Sequence, residues 1–336
     1  MSLLGLALWL IAAPAPAVAA APAPPTPPRT APVSALIHSE SFKRITNGKP
    51  QAFRVDYTAS LTWTLGERKS CYLTGCGTVC DMTISHKVLS RQVRSANPAE
   101  SSPQLVLGEE APERFEIREN GIRYEMSFAE GYSVGLFLDQ RDNRRRLLTG
   151  HVAASFPLPL STGTEVLNCF AYTCGFSVCA ARSGARTTSL DLSKKYLEWG
   201  RRNFTSNELD QAAHDFIYGD VFDWLRRLAK KGRVYDLVVL DPPTFSQSKE
   251  SGVFRVEKHF GDLVKAVLPV LKPGGTLLAS TNAAEWPPEK FLEAVAAAIS
   301  AGKRKIQQEH FIPQPPDFPV SRGEPAYLKT IWIKVS

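Results

Sequence analysis

From residue 165 onward the apolar positions switch between two periods. Short stretches rich in apolar or β-branched residues at 165–170, 187–190, 216–218, 235–240 and 276–280 read as strands; the apolar 235–240 run reads as buried on both faces, as in a parallel sheet. Apolar residues recur at helical spacing at 176–182, 194–202, around Trp224-Leu225, at 260–271 and at 291–299. The punctuation agrees. Gly184-Ala185 ends the first helix, Ser193 is a natural N-cap for the second, and Lys272-Pro273-Gly274-Gly275 makes the turn before the fifth strand. A last apolar run at 327–335 closes the chain. Five strand–helix steps and a terminal strand predict a doubly wound α/β domain.

The earlier part of the chain is less regular. Residues 115–118 and 123–128 alternate in strand fashion around Asn120-Gly121, a strong hairpin signal. Residues 131–138 predict a further strand that runs into a dense basic stretch, and 87–93 read as a short helix. Residues 86–140 are thus expected to form a small hairpin-containing α+β region ahead of a core domain at 141–336. Residues 40–85 stay unassigned. The first 39 are rich in Ala and Pro with no acidic residue, and disorder is expected there. The apolar run at 3–13 falls short of the ~20 residues that span a bilayer, so no membrane partner is expected. A secretory signal cleaved after Ala17-Val18-Ala19 would lack its basic n-region, and a transit peptide would be Arg- and Ser-rich; a mis-set start codon would give the same pattern.

Composition changes this picture little. A chain of 336 residues, 43% hydrophobic and 22% charged, is an ordinary globular one. A formal net charge of +7 favours an acidic partner such as nucleic acid. Cys71, Cys76 and Cys80, with His86 as a conceivable fourth ligand, have no matching second cluster, so free or buried thiols are expected and no metal. Cys169, Cys174 and Cys179 fall inside one strand–loop–helix unit rather than a disulfide framework. That fits a reducing compartment, the cytoplasm, with an organelle stroma as the alternative if residues 1–39 are a transit peptide. The sequence defines no oligomeric state.

Candidate chemistry gathers where the strands end. Asp241-Pro242-Pro243-Thr244-Phe245-Ser246 follows the 235–240 run, and neither proline can extend a ladder. A carboxylate, a rigid turn and an aromatic ring are thereby presented at the carboxyl end of a central strand, where open α/β sheets bind ligands. Asp191 ends the second strand, sixteen residues after Gly175, and suits a ribose diol. The loop 171–175 lacks the glycines of a dinucleotide fingerprint, which disfavours a nicotinamide cofactor and suits S-adenosylmethionine (SAM), which has no pyrophosphate to cradle. Asp220 either accepts from an adenine amino group or caps the helix that follows. The arginines after 140 are either a solvated helix start or guanidinium groups for phosphate or carboxylate.

Four ordered motifs carry a resemblance. Residues 135–141 (Gly-Leu-Phe-Leu-Asp-Gln-Arg), 166–173 (Val-Leu-Asn-Cys-Phe-Ala-Tyr-Thr), 190–199 (Leu-Asp-Leu-Ser-Lys-Lys-Tyr-Leu-Glu-Trp) and 241–246, with Ser248-Lys249, resemble the large-subunit ribosomal RNA methyltransferases of the RlmI/RlmK type. The likeness runs from about His86 to the end. It implies a Rossmann-like SAM-dependent methyltransferase fold, mostly parallel with a closing antiparallel strand. It implies that Asn168, Phe170, Tyr172, Thr173 and Gly175 line the SAM loop, that Asp191 with Leu192 holds the ribose, and that Asp220 with Val221 holds the adenine. Asp241, Pro242 and Pro243 would sit beside the methyl group with Phe245 stacking a splayed-out base, and Gln140 and Arg141 would close over the methionine end. Arg144, Arg145 and Arg146 would meet rRNA phosphates. Cys174 departs from the family's usual glycine, and the family's amino-terminal RNA-binding module is not recognisable before His86.

Chemistry bears on which atom is methylated. Pyrimidine C5 requires prior addition of a cysteine thiolate, and the relatives that do this carry the cysteine just after the fifth strand. Here that stretch is Ser280-Thr281-Asn282-Ala283-Ala284. Guanine N7 already carries a lone pair, and the RlmK branch, which makes 7-methylguanine, also has asparagine near Asn282. Guanine N7 is therefore favoured over cytosine C5. A methyltransferase of a small molecule or protein, and a SAM-fold module without activity, are the other readings.

Overall fold

A computed structural model of the chain describes residues 111–129, 134–248, 252–316, 318 and 326–336, with the backbone of 29–46, 49–65, 84–86 and 104–107. Its main sheet contains β1 (Glu165–Cys169), β2 (Arg186–Asp191), β3 (Asp215–Tyr218), β4 (Tyr235–Leu240), β5 (Leu271–Thr281), β6 (Ile306–Pro313) and β7 (Lys329–Val335). The helices are α1 (Arg141–Thr149), α2 (Gly175–Arg182), α3 (Lys194–Ser206), α4 (Val221–Lys230), α5 (Val256–Val267) and α6 (Pro288–Ala301). The strand order is β3-β2-β1-β4-β5-β7-β6, parallel throughout except for β7, which runs against both its neighbours. The order reverses between β1 and β4, and the crevice outside that reversal is where such sheets take ligands.

The periodicity dictates the layers. Leu167, Val238, Leu240, Leu277 and Ala279 bury one face of the sheet against α4, α5 and α6, where Phe260, Trp286 and Phe291 meet edge to face with centroids 5.2–6.0 Å apart. The other face is partly polar. Ser177 of α2 accepts from Asn168 at 2.9 Å and from Ser189 at 2.8 Å, so these buried groups are satisfied within the layer. Ser193 caps α3 by accepting from the amide of Tyr196 at 3.3 Å. Lys272–Gly275 bulges out opposite Asp236 alone, since Tyr235 pairs with Leu271 and Leu237 with Thr276; the expected turn thus lies inside β5.

Strand β6 was not foreseen. It is an edge strand whose sequence Ile306-Gln307-Gln308-Glu309-His310 offers no apolar run, because edge positions bury little. The strand expected over 131–138 does not form in its described part. Val134–Phe137 pairs with nothing in a sheet, Gly135 adopts φ 122°, and Leu138–Gln140 is a 3-10 turn leading into α1. The apolar residues Val134 and Leu136 are buried without strand pairing, which an apolar pattern alone cannot distinguish. The helix expected at 87–93 lies outside the described residues.

The Asn120-Gly121 hairpin pairs Phe115–Glu119 with Ile122–Met126, and both turn residues take positive φ, 51° and 82°, as a type I′ turn demands. Side-chain amides of α3 stand in for a strand partner. Asn203 accepts from the amide of Glu125 at 2.8 Å, and Asn207 accepts from the amide of Arg123 at 2.9 Å and donates to its carbonyl at 2.7 Å. Glu116–Met126 and Val134–Ser336 accordingly form one compact unit, so the core takes in a hairpin that lies before residue 141.

Met1–Phe115 with Ser127–Ser133 form the other unit. There Arg29–Thr46 and Lys49–Leu65 pair antiparallel, and Ile84–His86 pairs with Gln104–Leu107. Disorder was expected to residue 39; the strand begins at Arg29, and Asn47-Gly48, a hairpin dipeptide, falls between it and its partner. Residues 1–28 and the cluster Cys71, Cys76 and Cys80 lie outside the described residues. Among the described residues no helix is long and apolar enough to cross a membrane, and no group of His, Cys, Asp and Glu could hold a metal ion.

Candidate active site

The loop after β1 is built from alternating left-handed residues. Phe170, Tyr172 and Cys174 have φ 59°, 49° and 64°, a conformation costing a non-glycine residue roughly 1–2 kcal/mol. Several bonds hold it. The amide of Ala171 donates to the Leu190 carbonyl at 3.0 Å, that of Cys174 to the Ala171 carbonyl at 2.8 Å, and that of Tyr172 to the Asp191 carboxylate at 2.8 Å. Thr173 donates to the Gly135 carbonyl at 2.5 Å, and the Gly135 amide donates to the Tyr172 hydroxyl at 2.9 Å. Gly135 is required there, since a Cβ would lie 2.7 Å from the Glu125 carbonyl oxygen and 2.8 Å from the Trp199 ring. Over-determined strain of this kind belongs to ligand sites. The Cys174 φ explains why glycine suits that position. Its thiol fills the space where α3 approaches at Gly200, whose Cβ would fall 2.3 Å from the sulfur.

Asp191 emerges at the tip of β2 with both oxygens engaged, accepting from the amides of Tyr172 and Ser193 at 2.8 Å each. Burial pushes its carboxyl up to about 6, against the pull of these backbone donors. A carboxylate oxygen has a second lone pair, so the group can still accept from a diol. Leu192 beside it is 39% exposed, and Tyr218 at the end of β3 is 51% exposed, while Val221 is buried at the start of α4. Asp220 caps α4, accepting from the amide of Asp223 at 3.1 Å, and its second oxygen accepts from Ser248 at 2.7 Å. Asn168 lies wholly inside, bonded to Ser177, and Gly175 opens α2, its carbonyl accepting from Tyr124 at 3.3 Å.

At the end of β4, Asp241 is half-buried, Pro242 is buried, and Phe245 is 46% exposed. Burial first, and the neighbouring Asp139 second, raise the Asp241 carboxyl to about 7, partly countered by hydrogen bonds from Ser280 and Gln140. Beneath it lies a closed polar network. Gln140 donates to Ser280 at 2.8 Å and accepts from Asn143 at 2.7 Å; Ser280 and Thr330 share a bond of 3.0 Å; the Trp332 indole donates to Asn143 at 3.1 Å. It ties the start of α1 to β5 and β7 and fixes Gln140 at the predicted methyl end. Sequence reasoning missed Asp139, Ser280 and Lys329. Lys329 is buried and donates to the Ala283 carbonyl at 2.6 Å, holding the segment after β5; a lysine in an apolar strand was the signal for it.

The arginines divide. Arg144 was expected to meet phosphate, and the structure corrects this: it is 2% exposed and clasps Glu119 of the hairpin through two bonds of 2.7 and 2.6 Å. Arg146 is half-buried, donating to the carbonyls of Val152 at 3.1 Å and Asp142 at 2.8 Å, a second structural role. Arg145 is exposed, and Arg141, half-buried at the first position of α1, lies 3.8 Å from Asp142.

If Asp191 takes ribose hydroxyls, SAM affinity has a defined pH dependence. Hydroxyl donors need the ionised carboxylate, so affinity is expected to fall as pH drops through about 6 and to weaken about tenfold between pH 7.5 and 5, the loss of ionised fraction over one unit below that value. Calorimetric titration with SAM across this range checks it, and a flat profile would assign the diol elsewhere.

Comparison with known proteins agrees with this geometry. The profile of a family described as S-adenosylmethionine-dependent methyltransferase matches residues 68–333. A protein of Deinococcus radiodurans named ribosomal RNA large subunit methyltransferase is 36% identical over 252 residues, 74% of this chain and 59% of its own length. One of Pseudoalteromonas atlantica named ribosomal RNA large subunit methyltransferase I is 35% identical over 247 residues, 72% and 59%. The crystal structure of SMU.776, solved in complex with SAH, superposes with a TM-score of 0.62 at 36% identity, covering 69% of this chain and 58% of that one. The chain thus spans about three fifths of the length of the curated relatives it matches. The donor set fits SAM: a carboxylate at the β2 tip, apolar Leu192 and Val221 beside it, and a β1 loop with no pyrophosphate cradle. By its sheet order, its site and its match over most of its length, the chain belongs to the SAM-dependent methyltransferase family.

Proposed function

We propose that the chain transfers a methyl group to a base of large-subunit rRNA, and that the atom methylated is guanine N7. Two named relatives act, by their names, on large-subunit rRNA, and the net charge of +7 suits that partner. Asp191 with Leu192 would hold the ribose, Asp220 with Val221 the adenine, Phe170, Tyr172 and Thr173 the loop between, and Gln140 and Asp241 the methyl end. Bound SAM would supply an electrophilic methyl. N7 has a lone pair and no proton to lose, so positioning supplies most of the rate. Phe245 would stack the extruded base, and Asp241, as carboxylate, would face the positive charge that grows on the ring. The free thiols Cys169, Cys174 and Cys179 fit a reducing compartment such as the cytoplasm.

The observation that carries the choice of nitrogen is the placement of those thiols. All three are buried, and burial pushes Cys174 and Cys179 up to about 12 and Cys169 further. None follows β4 or β5, where Thr281-Asn282-Ala283 stands, so among the described residues no thiolate is available to add to a pyrimidine ring. Cys169→Ser, Cys174→Gly and Cys179→Ala are each expected to keep substantial transfer, and 5-fluorocytosine RNA is expected to form no covalent adduct. An adduct abolished by one cysteine replacement would move the chemistry to cytosine C5.

A further inference from the structure

We infer that Arg255 binds the phosphate of the target nucleotide, forming with Phe245 one contact surface for the extruded residue. The inference rests on the rRNA reading above. The segment after Asp241-Pro242-Pro243 returns on itself as a small antiparallel ladder, Phe245–Ser248 against Gly252–Arg255, in which Phe245 pairs directly with Arg255. Both side chains of a directly opposed pair lie on the same face of a ladder. The Arg255 guanidinium accordingly sits over the Phe245 ring, 5.7 Å from its centroid. Both residues are exposed.

Three features separate Arg255 from Arg144 and Arg146, the structural arginines of α1. It has no carboxylate within ion-pair distance among the described residues, whereas Arg144 is neutralised by Glu119. Its backbone is fixed at both ends of the ladder's base: its amide donates to the His259 ring at 2.9 Å, and the Val256 amide donates to the Thr244 carbonyl at 3.1 Å. Lastly, it stands one ladder step from the motif that carries Asp241, so a base lying on the ring brings its own phosphate to the guanidinium. A planar guanidinium is well matched to phosphate oxygens, and an unpaired cation held beside an exposed aromatic ring is the combination by which single-stranded nucleic acid is gripped. The contact positions the nucleotide and carries no sequence information.

The test uses the full chain with large-subunit rRNA from a strain lacking the modification. Arg255→Ala is expected to raise the KM for RNA about tenfold and to flatten the salt dependence of log KM by roughly 0.7–0.9, the share of one phosphate. SAM affinity should be unchanged, which also shows that the core is intact. Arg255→Gln, which keeps most of the side-chain stem, should behave as the alanine does, and Arg255→Lys should restore most of the salt slope. If wild type transfers methyl groups to the RNA and Arg255→Ala keeps its KM and slope, the assignment of Arg255 is wrong and the rRNA reading stands. If wild type transfers none, the rRNA reading fails and the assignment falls with it.

Discussion

Replacing Asp191 with alanine is expected to raise the Kd for SAM by about 100-fold or more. A hydrogen bond to a charged group is worth roughly 1.5–3 kcal/mol, and a ribose diol makes two. The same change should lower the melting temperature, because the amides of Tyr172 and Ser193 lose their acceptor, at about 1–3 kcal/mol for each one left buried. The loop concerned already carries three left-handed residues. Asp191→Asn separates the two effects. The amide oxygen can serve one of the backbone donors, so stability should largely return while affinity stays low. Titration calorimetry reads the first effect and thermal melting the second. An unchanged Kd in both variants would remove Asp191 from the cofactor site.

Arg144→Ala should destabilise the core by about 3–5 kcal/mol, because it strands a buried carboxylate. Glu119 is only 9% exposed in its side chain and has Arg144 as its bidentate partner. Burial alone would make the guanidinium easier to deprotonate, but the bonds to Glu119 outweigh it and hold the proton more tightly than usual. The arginine also packs over the rings of Tyr124 and Phe176, 5.9 and 6.0 Å away. Replacing both partners with apolar residues, Arg144→Met with Glu119→Leu, should recover most of the loss, since no charge is then left unpaired. Urea unfolding of the single and double variants checks this. A single variant as stable as wild type would mean that the pair does not join α1 to the hairpin.

What could be read in advance follows from how local each signal is. β4 is a nearly continuous apolar run, and β1, β2 and β5 are rich in apolar and β-branched residues, so these strands were legible. A carboxylate just past such a run, as at Asp191 and Asp241, lies at the sheet's carboxyl edge for that reason alone. Ser193 as a cap is equally local. Arg144 was not legible. An arginine among arginines reads as solvated surface, and its partner Glu119 lies 25 residues away on an element whose docking depends on Asn203 and Asn207 of α3. β6 escaped because an edge strand buries too little to leave a pattern. Asp220 was read both as an acceptor and as a cap, and the cap is what its geometry records. The left-handed loop at Phe170, Tyr172 and Cys174 violates local preference, and tertiary bonds to Asp191, Leu190, Gly135 and Asn203 hold it.

The reaction proposed for this chain is methyl transfer to guanine N7 of large-subunit rRNA. It is tested most directly by incubating the purified chain with unmodified rRNA and methyl-labelled SAM, then digesting the RNA and identifying the labelled nucleoside by mass spectrometry. Label is expected in 7-methylguanosine alone and is lost on Asp191→Ala. Label in 5-methylcytidine, or an RNA that stays unlabelled while a protein or small molecule takes the methyl group, would contradict it.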